Sequence, residues 1–102
     1  MPATRQLAIP IPHDEIAAFC RKWGIRKLAF FGSVVRDDFG PESDVDVLVE
    51  FRDPIGIGIV HAEQELAALF RRKIDLVEEH LLNRWMRRDV LSEAIIEYVE
   101  EK

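Results

Sequence analysis

Asp44 and Asp46 stand one residue apart inside "DVDVLVEF" (44–51), a run that would be apolar throughout if it were only a buried strand. Side chains alternate faces in an extended chain. The two carboxylates therefore project from one face, while Val45, Val47 and Val49 project from the other into a core. At about 3.3 Å of rise per residue, the two aspartate Cα atoms lie roughly 6.6 Å apart. Carboxylates at that spacing can converge on one metal ion or bridge two. Without a cation they repel each other, and one must take up a proton. Asp75, in "KIDLVEE" (73–79), repeats the pattern, with Ile74 and Leu76 facing one way and Asp75 the other. If the two runs pair side by side, three carboxylates meet on one sheet face. An all-oxygen set of this kind selects a hard cation, Mg²⁺ first and Mn²⁺ as its substitute.

A complementary feature lies upstream. Gly32 allows a sharp turn and the close approach of a ligand to the backbone. Ser33 is expected to open a short helix whose unpaired N–H groups and dipole suit a phosphate. Arg36, about one turn further, can add a cation to the same phosphate. A phosphate cradle beside a carboxylate cluster is the apparatus of phosphoryl or nucleotidyl transfer from a metal-bound triphosphate. Each feature alone has a plainer explanation: Asp-x-Asp at a strand start is often a solvated edge, and Gly-Ser is often only a turn. Their joint occurrence, with a third aspartate in a separate apolar run, favours the chemical reading.

The elements that must position these groups are legible in outline. Residues 1–11 lack periodicity and read as an N-terminal tail, with a single domain over 12–102. Pro12 suits the first turn of a helix, and Asp14 and Glu15 suit its positive end. Ile16, Phe19, Cys20 and Trp23 keep helical spacing up to a stop at Gly24. "IRKLAFF" reads as the first strand and "DVDVLVEF" as the second, ended by Asp53-Pro54. Ile59, Ala62, Leu66, Leu69 and Phe70 form the buried stripe of a second long helix. Arg71, Arg72 and Lys73 follow at its C-terminal end, where positive charge is favoured. "KIDLVEE" is the third strand, the stretch from Leu81 to Leu91 is helical, and "AIIEYV" reads as a short final strand. The fold class is therefore α/β (α+β), a small mixed sheet with helices packed on it. Trp23 is assigned to the core. Trp85, among Arg84, Arg87 and Arg88, is assigned to helix packing, although its composition also suits a protein contact.

The bulk composition narrows the partners. The chain has 102 residues, 48% of them hydrophobic and 32% charged, which is one ordinary globular domain. A formal net charge of −5 argues against stable nucleic-acid binding, which needs clustered cations. No apolar run is long enough to span a membrane and no signal-peptide layout opens the chain, so a cytoplasmic location is expected. The single cysteine, Cys20, reads as a buried structural thiol. The histidines at 13, 61 and 80 are scattered and read as surface residues. Glu50 shares the Asp-x-Asp face without an evident role.

"GSVVRDDFGPESDVD", which is Gly-Ser, ten residues, then Asp-x-Asp, resembles the signature of the DNA polymerase beta-like nucleotidyltransferase superfamily. With Arg36 three residues after Ser33, and "RRKIDLVEEHLL" following, the chain is similar to the minimal nucleotidyltransferase (MNT) branch over about residues 13–99. The resemblance implies that Asp44, Asp46 and Asp75 hold two Mg²⁺ ions, with Asp75 also orienting or deprotonating the attacking hydroxyl. It implies that Gly32, Ser33 and Arg36 bind the phosphates of ATP. Members of this branch often serve as the antitoxin of HEPN/MNT toxin–antitoxin modules, and some transfer AMP to a tyrosine of the HEPN toxin. The expected partner is therefore a HEPN-domain toxin, in a hetero-oligomer or beside a homo-oligomer. Two rivals stand beside this expectation: a non-catalytic antitoxin that masks its partner by binding, and a transferase acting on a small hydroxylated molecule such as an aminoglycoside.

Overall fold

The computed structural model describes residues 9–36, 40 and 42–100. Helix α1 (His13–Trp23) begins behind Pro12, with Asp14 and Glu15 in its first turn and Arg21 and Lys22 in its last. It ends at Gly24, whose φ of 69° is the left-handed conformation and whose N–H donates to the Cys20 carbonyl. Strand β1 (Ile25–Phe31) follows directly and runs into a 3-10 turn (Gly32–Val35). Strand β2 (Val45–Phe51), helix α2 (Gly58–Phe70) and strand β3 (Ile74–Glu78) come next. A second 3-10 turn (Glu79–Leu81), helix α3 (Arg84–Glu93) and strand β4 (Ile95–Val99) complete the order.

The sheet has the order β3-β2-β1-β4. Strand β1 is antiparallel to both β2 and β4, whereas β2 and β3 are parallel. A parallel pair needs a long crossover, and α2 supplies it. The first face of the sheet is covered by α1 and α2. Val45, Val47 and Val49 are fully buried there, together with Leu28, Phe30, Ile16 and Leu66. Phe30 meets Phe70 edge to face, with ring centroids 5.8 Å apart. The expected alternation along β2 is thus present. Leu48, on the opposite face, is nevertheless also fully buried, as is its β1 partner Ala29. Helix α3 lies against β1, and the Glu79–Leu81 turn lies against β2.

Four expectations need correction or completion. The tail expected over residues 1–11 lies outside the described residues as far as residue 8, and of the rest Ile9 and Ile11 pack partly buried against the core. The helix expected after Ser33 is a single four-residue 3-10 turn, pinned by the buried Val34 and by Val35 against the core. A turn that short carries no useful macrodipole. Trp85 does not pack beneath its helix: it is 69% exposed, and α3 contributes no buried residue. The acidic residues between the Gly-Ser corner and Asp44, namely Asp37, Asp38 and Glu42, are expected from the sequence to be loop solvation; the first two lie outside the described residues, and Glu42 is exposed.

Other expectations match the structure. "AIIEYV" forms β4, Cys20 is fully buried, and Trp23 packs partly buried against the core. His13 pairs with Glu97, His80 lies 3.8 Å from Glu78, and His61 is exposed. Among the described residues, no helix is long and apolar enough to cross a membrane.

Candidate active site

The parallel register places Asp46 directly opposite Asp75. Parallel neighbours lie about 4.8 Å apart, so two carboxylates are side by side at the mouth of the β2–β3 pair. Ile74 and Leu76 are buried on either side of the exposed Asp75, which is the alternation that turns its carboxylate outward. Asp44 sits just before β2, half-exposed, with one oxygen 3.8 Å from Lys73 Nζ. The approach to Asp44 is tied down by the connection between α2 and β3. Val45 N–H donates to the Lys73 carbonyl (3.0 Å), and the Arg72 guanidinium donates to the carbonyls of Ser43 (3.3 Å) and Gly40 (3.4 Å). Arg72 and Lys73, whose expected place was the C-terminal end of α2, also hold the segment that delivers the first aspartate.

The antiparallel register on the other side pairs Asp46 with Phe31, the residue before Gly32. A Cβ at position 32 would lie 2.2 Å from Asp46 Oδ2 and 3.0 Å from its Cγ. The carboxylate therefore rests on the bare backbone of the corner. Gly32 also has a φ of +77°, which disfavours any other residue. The two halves read separately from the sequence, the Gly-Ser corner and the Asp-x-Asp pair, are in direct contact through this glycine. Ser33, half-buried, is the second residue of the turn, and its carbonyl accepts from Arg36 N–H (3.0 Å).

The electrostatics fit a cation. Burial pushes the Asp46 carboxyl above the usual carboxylate range, and the charges of Asp75 and then Asp44 push it further. Arg36 pulls it down, and Glu93 adds a smaller upward push. Three oxygen donors that repel one another in a partly desolvated site suit Mg²⁺ or Mn²⁺ in charge and ligand type. Among the described residues, however, no three acidic, histidine or cysteine side chains are drawn together tightly enough to hold an ion as they stand. Asp44 is turned toward Lys73. The backbone sets Asp46 opposite Asp75 and Asp44 just before β2. Glu50 lies opposite Lys27, four residues along β2 from Asp46, and is not part of the cluster.

Glu93, at the end of α3, is a residue that sequence reasoning does not single out. Its Oε2 accepts from Gly32 N–H (2.9 Å), and its Oε1 accepts from the Arg36 guanidinium (3.0 Å). The one hint in the sequence is a carboxylate at a helix C-terminus, where the macrodipole disfavours it.

Comparison with known proteins agrees with this geometry. Residues 15–98 match the family model of the nucleotidyltransferase domain. The chain is 35% identical to the protein adenylyltransferase MntA of Thermococcus cleftensis over 75 residues, covering 72% of this chain and 76% of that one. Its fold is similar to a chain of a toxin–antitoxin crystal structure with AMP-PNP, with a TM-score of 0.75 and 19% identity over 89% of this chain and 76% of that one. It is also similar to a chain in the complex of a tri-AMPylated Shewanella oneidensis HEPN toxin with its MNT antitoxin, with a TM-score of 0.64 and 19% identity over 86% and 70% of the two chains. A four-stranded mixed sheet, an Asp-x-Asp pair seated on a Gly-Ser corner and a family match over most of its length together establish that the chain belongs to the nucleotidyltransferase family.

Proposed function

We propose that this chain transfers AMP from ATP to a hydroxyl of a partner protein, a tyrosine of a HEPN-domain toxin, and thereby acts as its antitoxin. The observation that carries this reading is the seat of Asp46, wedged between Asp75 and the bare backbone of Gly32. Asp46 would thus join the proposed metal carboxylates to the proposed phosphate corner. The adenylyltransferase relative and the toxin–antitoxin neighbours support the choice of AMP as the group moved and of a protein as its acceptor. Helix α3, which reaches the site through Glu93, exposes Trp85 and Met86 beside Arg84 and Arg88. That aromatic and arginine-rich composition suits contact with another protein.

In this reading Asp44, Asp46 and Asp75 would hold Mg²⁺, and Ser33 and Arg36 would bind the β- and γ-phosphates against the corner made by Gly32. When bound, the metal supplies neutralisation of phosphate charge and of the charge that develops on the leaving group. Asp75, the most exposed of the three, orients the acceptor hydroxyl and takes its proton. The hydroxyl oxygen bonds to the α-phosphorus while the bond from that phosphorus to the oxygen bridging the β-phosphate breaks. Pyrophosphate leaves. Because Gly32 N–H already donates to Glu93, the phosphate contacts fall chiefly on Ser33 and Arg36, and Gly32 serves by leaving room.

The test is intact-mass spectrometry of the protein encoded beside this chain after incubation with both ATP and Mg²⁺. The reading requires a gain of one or more AMP units that disappears with Asp44→Ala plus Asp46→Ala. Tight binding with no mass change would replace it with a masking antitoxin. Modification of a small hydroxylated compound, with none of the protein, would replace it with a small-molecule transferase.

A further inference from the structure

Strand β4 pairs with β1 so that Ile95 lies opposite Phe30. Continuing that antiparallel register by two residues brings Glu93 across from Gly32, past the end of the ladder. Its carboxylate is used there bidentately, one oxygen for the Gly32 N–H and the other for the Arg36 guanidinium. The two groups differ in kind, one backbone and one side chain, and they come from the start and the end of the same short turn. Glu93 therefore spans the corner from outside.

The charge pattern of α3 points the same way. The helix carries Arg84, Arg87 and Arg88 toward its N-terminus and Asp89 and Glu93 toward its C-terminus, with no acidic residue in its first turn and no basic residue in its last. This is the reverse of what the helix dipole favours. Glu93 thus sits at a position that costs the helix stability, and its two partners give the reason. The corner it grips is anchored from the core side by Val34 and Val35, but it turns on a glycine at positive φ and its first residue has no side-chain cap.

We propose that Glu93 is a positioning residue of the nucleotidyl-transfer site, holding the Gly32–Ser33 corner and the Arg36 guanidinium where they meet the triphosphate. This rests on the reading that Ser33 and Arg36 bind the phosphates of ATP. It makes α3, which adds nothing to the buried core, a working part of the site.

The test compares four variants of the full chain, namely Glu93→Ala, Glu93→Gln, Arg36→Ala and the Arg36→Ala/Glu93→Gln double, with wild type for binding of ATP with Mg²⁺ by calorimetry. Glu93→Ala removes both bonds and is expected to weaken binding about tenfold or more, the loss of a charge-assisted hydrogen bond. Glu93→Gln keeps an oxygen for Gly32 N–H but no charge for Arg36, and falls between wild type and Glu93→Ala. In an Arg36→Ala background, Glu93→Gln causes no further loss, because the guanidinium it aims is gone. A merely structural role would lower the melting temperature and leave binding by the folded protein unchanged, and that result would overturn the proposal. Tighter binding by Glu93→Gln would also overturn it, showing that the carboxylate occupies a place the phosphate needs. If wild type itself binds no ATP, the functional reading fails, and the amide resonance of Gly32 then decides the clamp. That resonance must move in Glu93→Ala and stay close to wild type in Glu93→Gln; no movement in Glu93→Ala refutes it.

Discussion

Replacing Gly32 by alanine tests the contact on which the site is built. Two costs are separable. The first is conformational: a residue other than glycine at a φ of +77° costs about 1–2 kcal/mol. The second is steric. The new Cβ would lie 2.2 Å from Asp46 Oδ2, 3.0 Å from Cγ and 3.3 Å from Cβ, whereas ordinary contact begins at 3.4 Å, so the carboxylate oxygen must give way by more than 1 Å. The carboxylate is the movable part, and forcing it off its rotamer costs about 0.5–1.5 kcal/mol. Gly24→Ala provides the reference, since that glycine has a φ of +69° and nothing within 4 Å of an added Cβ. Gly32→Ala should therefore be less stable than Gly24→Ala by about 0.5–1.5 kcal/mol, or roughly 2–12 °C in melting temperature for a domain this size. Transfer activity should separate the variants far more. Displacing Asp46 by about 1 Å is expected to lower the rate on the order of 100-fold, whereas Gly24→Ala keeps the wild-type rate. Thermal melts followed by circular dichroism give the first number, and pyrophosphate release with the partner present gives the second. If the two variants melt together and Gly32→Ala keeps full activity, Asp46 is not seated on the corner and the site is wrongly drawn.

Asp46→Asn should abolish transfer without a loss of stability at neutral pH in the absence of divalent metal. The folded carboxyl is raised above its unfolded value, so its favourable contribution is present below about pH 3.9 and is lost as the pH rises through the folded value. At pH 7 the charge works against the fold, and the amide should melt at or above wild type, the difference vanishing in acid. Added Mg²⁺ should stabilise wild type and not the variant, and an amide variant that melts lower at pH 7 without metal would contradict the assignment. The buried Cys20 thiol, pushed up to about 12 by burial and by Glu97, should resist alkylation by iodoacetamide in the folded protein at pH 8. The native state keeps a proton that the unfolded chain releases above about pH 9. Stability should therefore fall beyond that pH by up to about 1.4 kcal/mol per pH unit from this group. Unfolding measured from pH 8 to 11 checks this, since Cys20→Ala must lack that component of the slope.

How far each feature can be read from the sequence follows the range over which its signal acts. The alternation of Val45, Val47 and Val49 with Asp46 is local, so both the strand and the face of its carboxylate are legible in the residue order alone. Asp75 is legible for the same reason, and parallel pairing of β2 with β3 then sets it opposite Asp46. Glu93 lies 61 residues from Gly32, and only the choice of β1 as the partner of β4 brings the two together. No local pattern encodes that choice. Trp85 departs from its expected place because α3 has the periodicity of a packed helix yet buries none of its residues. Amphipathic spacing does not say whether the apolar face meets its own core or another surface. The helix expected after Ser33 is one turn, since Val34 and Val35 satisfy a single anchoring turn as well as a helix start.

Which bond of ATP is broken is decided by the position of a radioactive phosphate. The chain, its neighbour-encoded partner and Mg²⁺ are incubated with ATP labelled at either the α- or the γ-phosphate, and the partner is then resolved from free nucleotide. The expected result is that the α-label becomes covalently attached to the partner, that the γ-label leaves entirely as pyrophosphate, and that Asp44→Ala plus Asp46→Ala abolishes both events. Attachment of the γ-label would contradict it and make the chain a phosphotransferase. Attachment of neither, with the partner still bound and silenced, would leave a fold that holds its partner without chemistry.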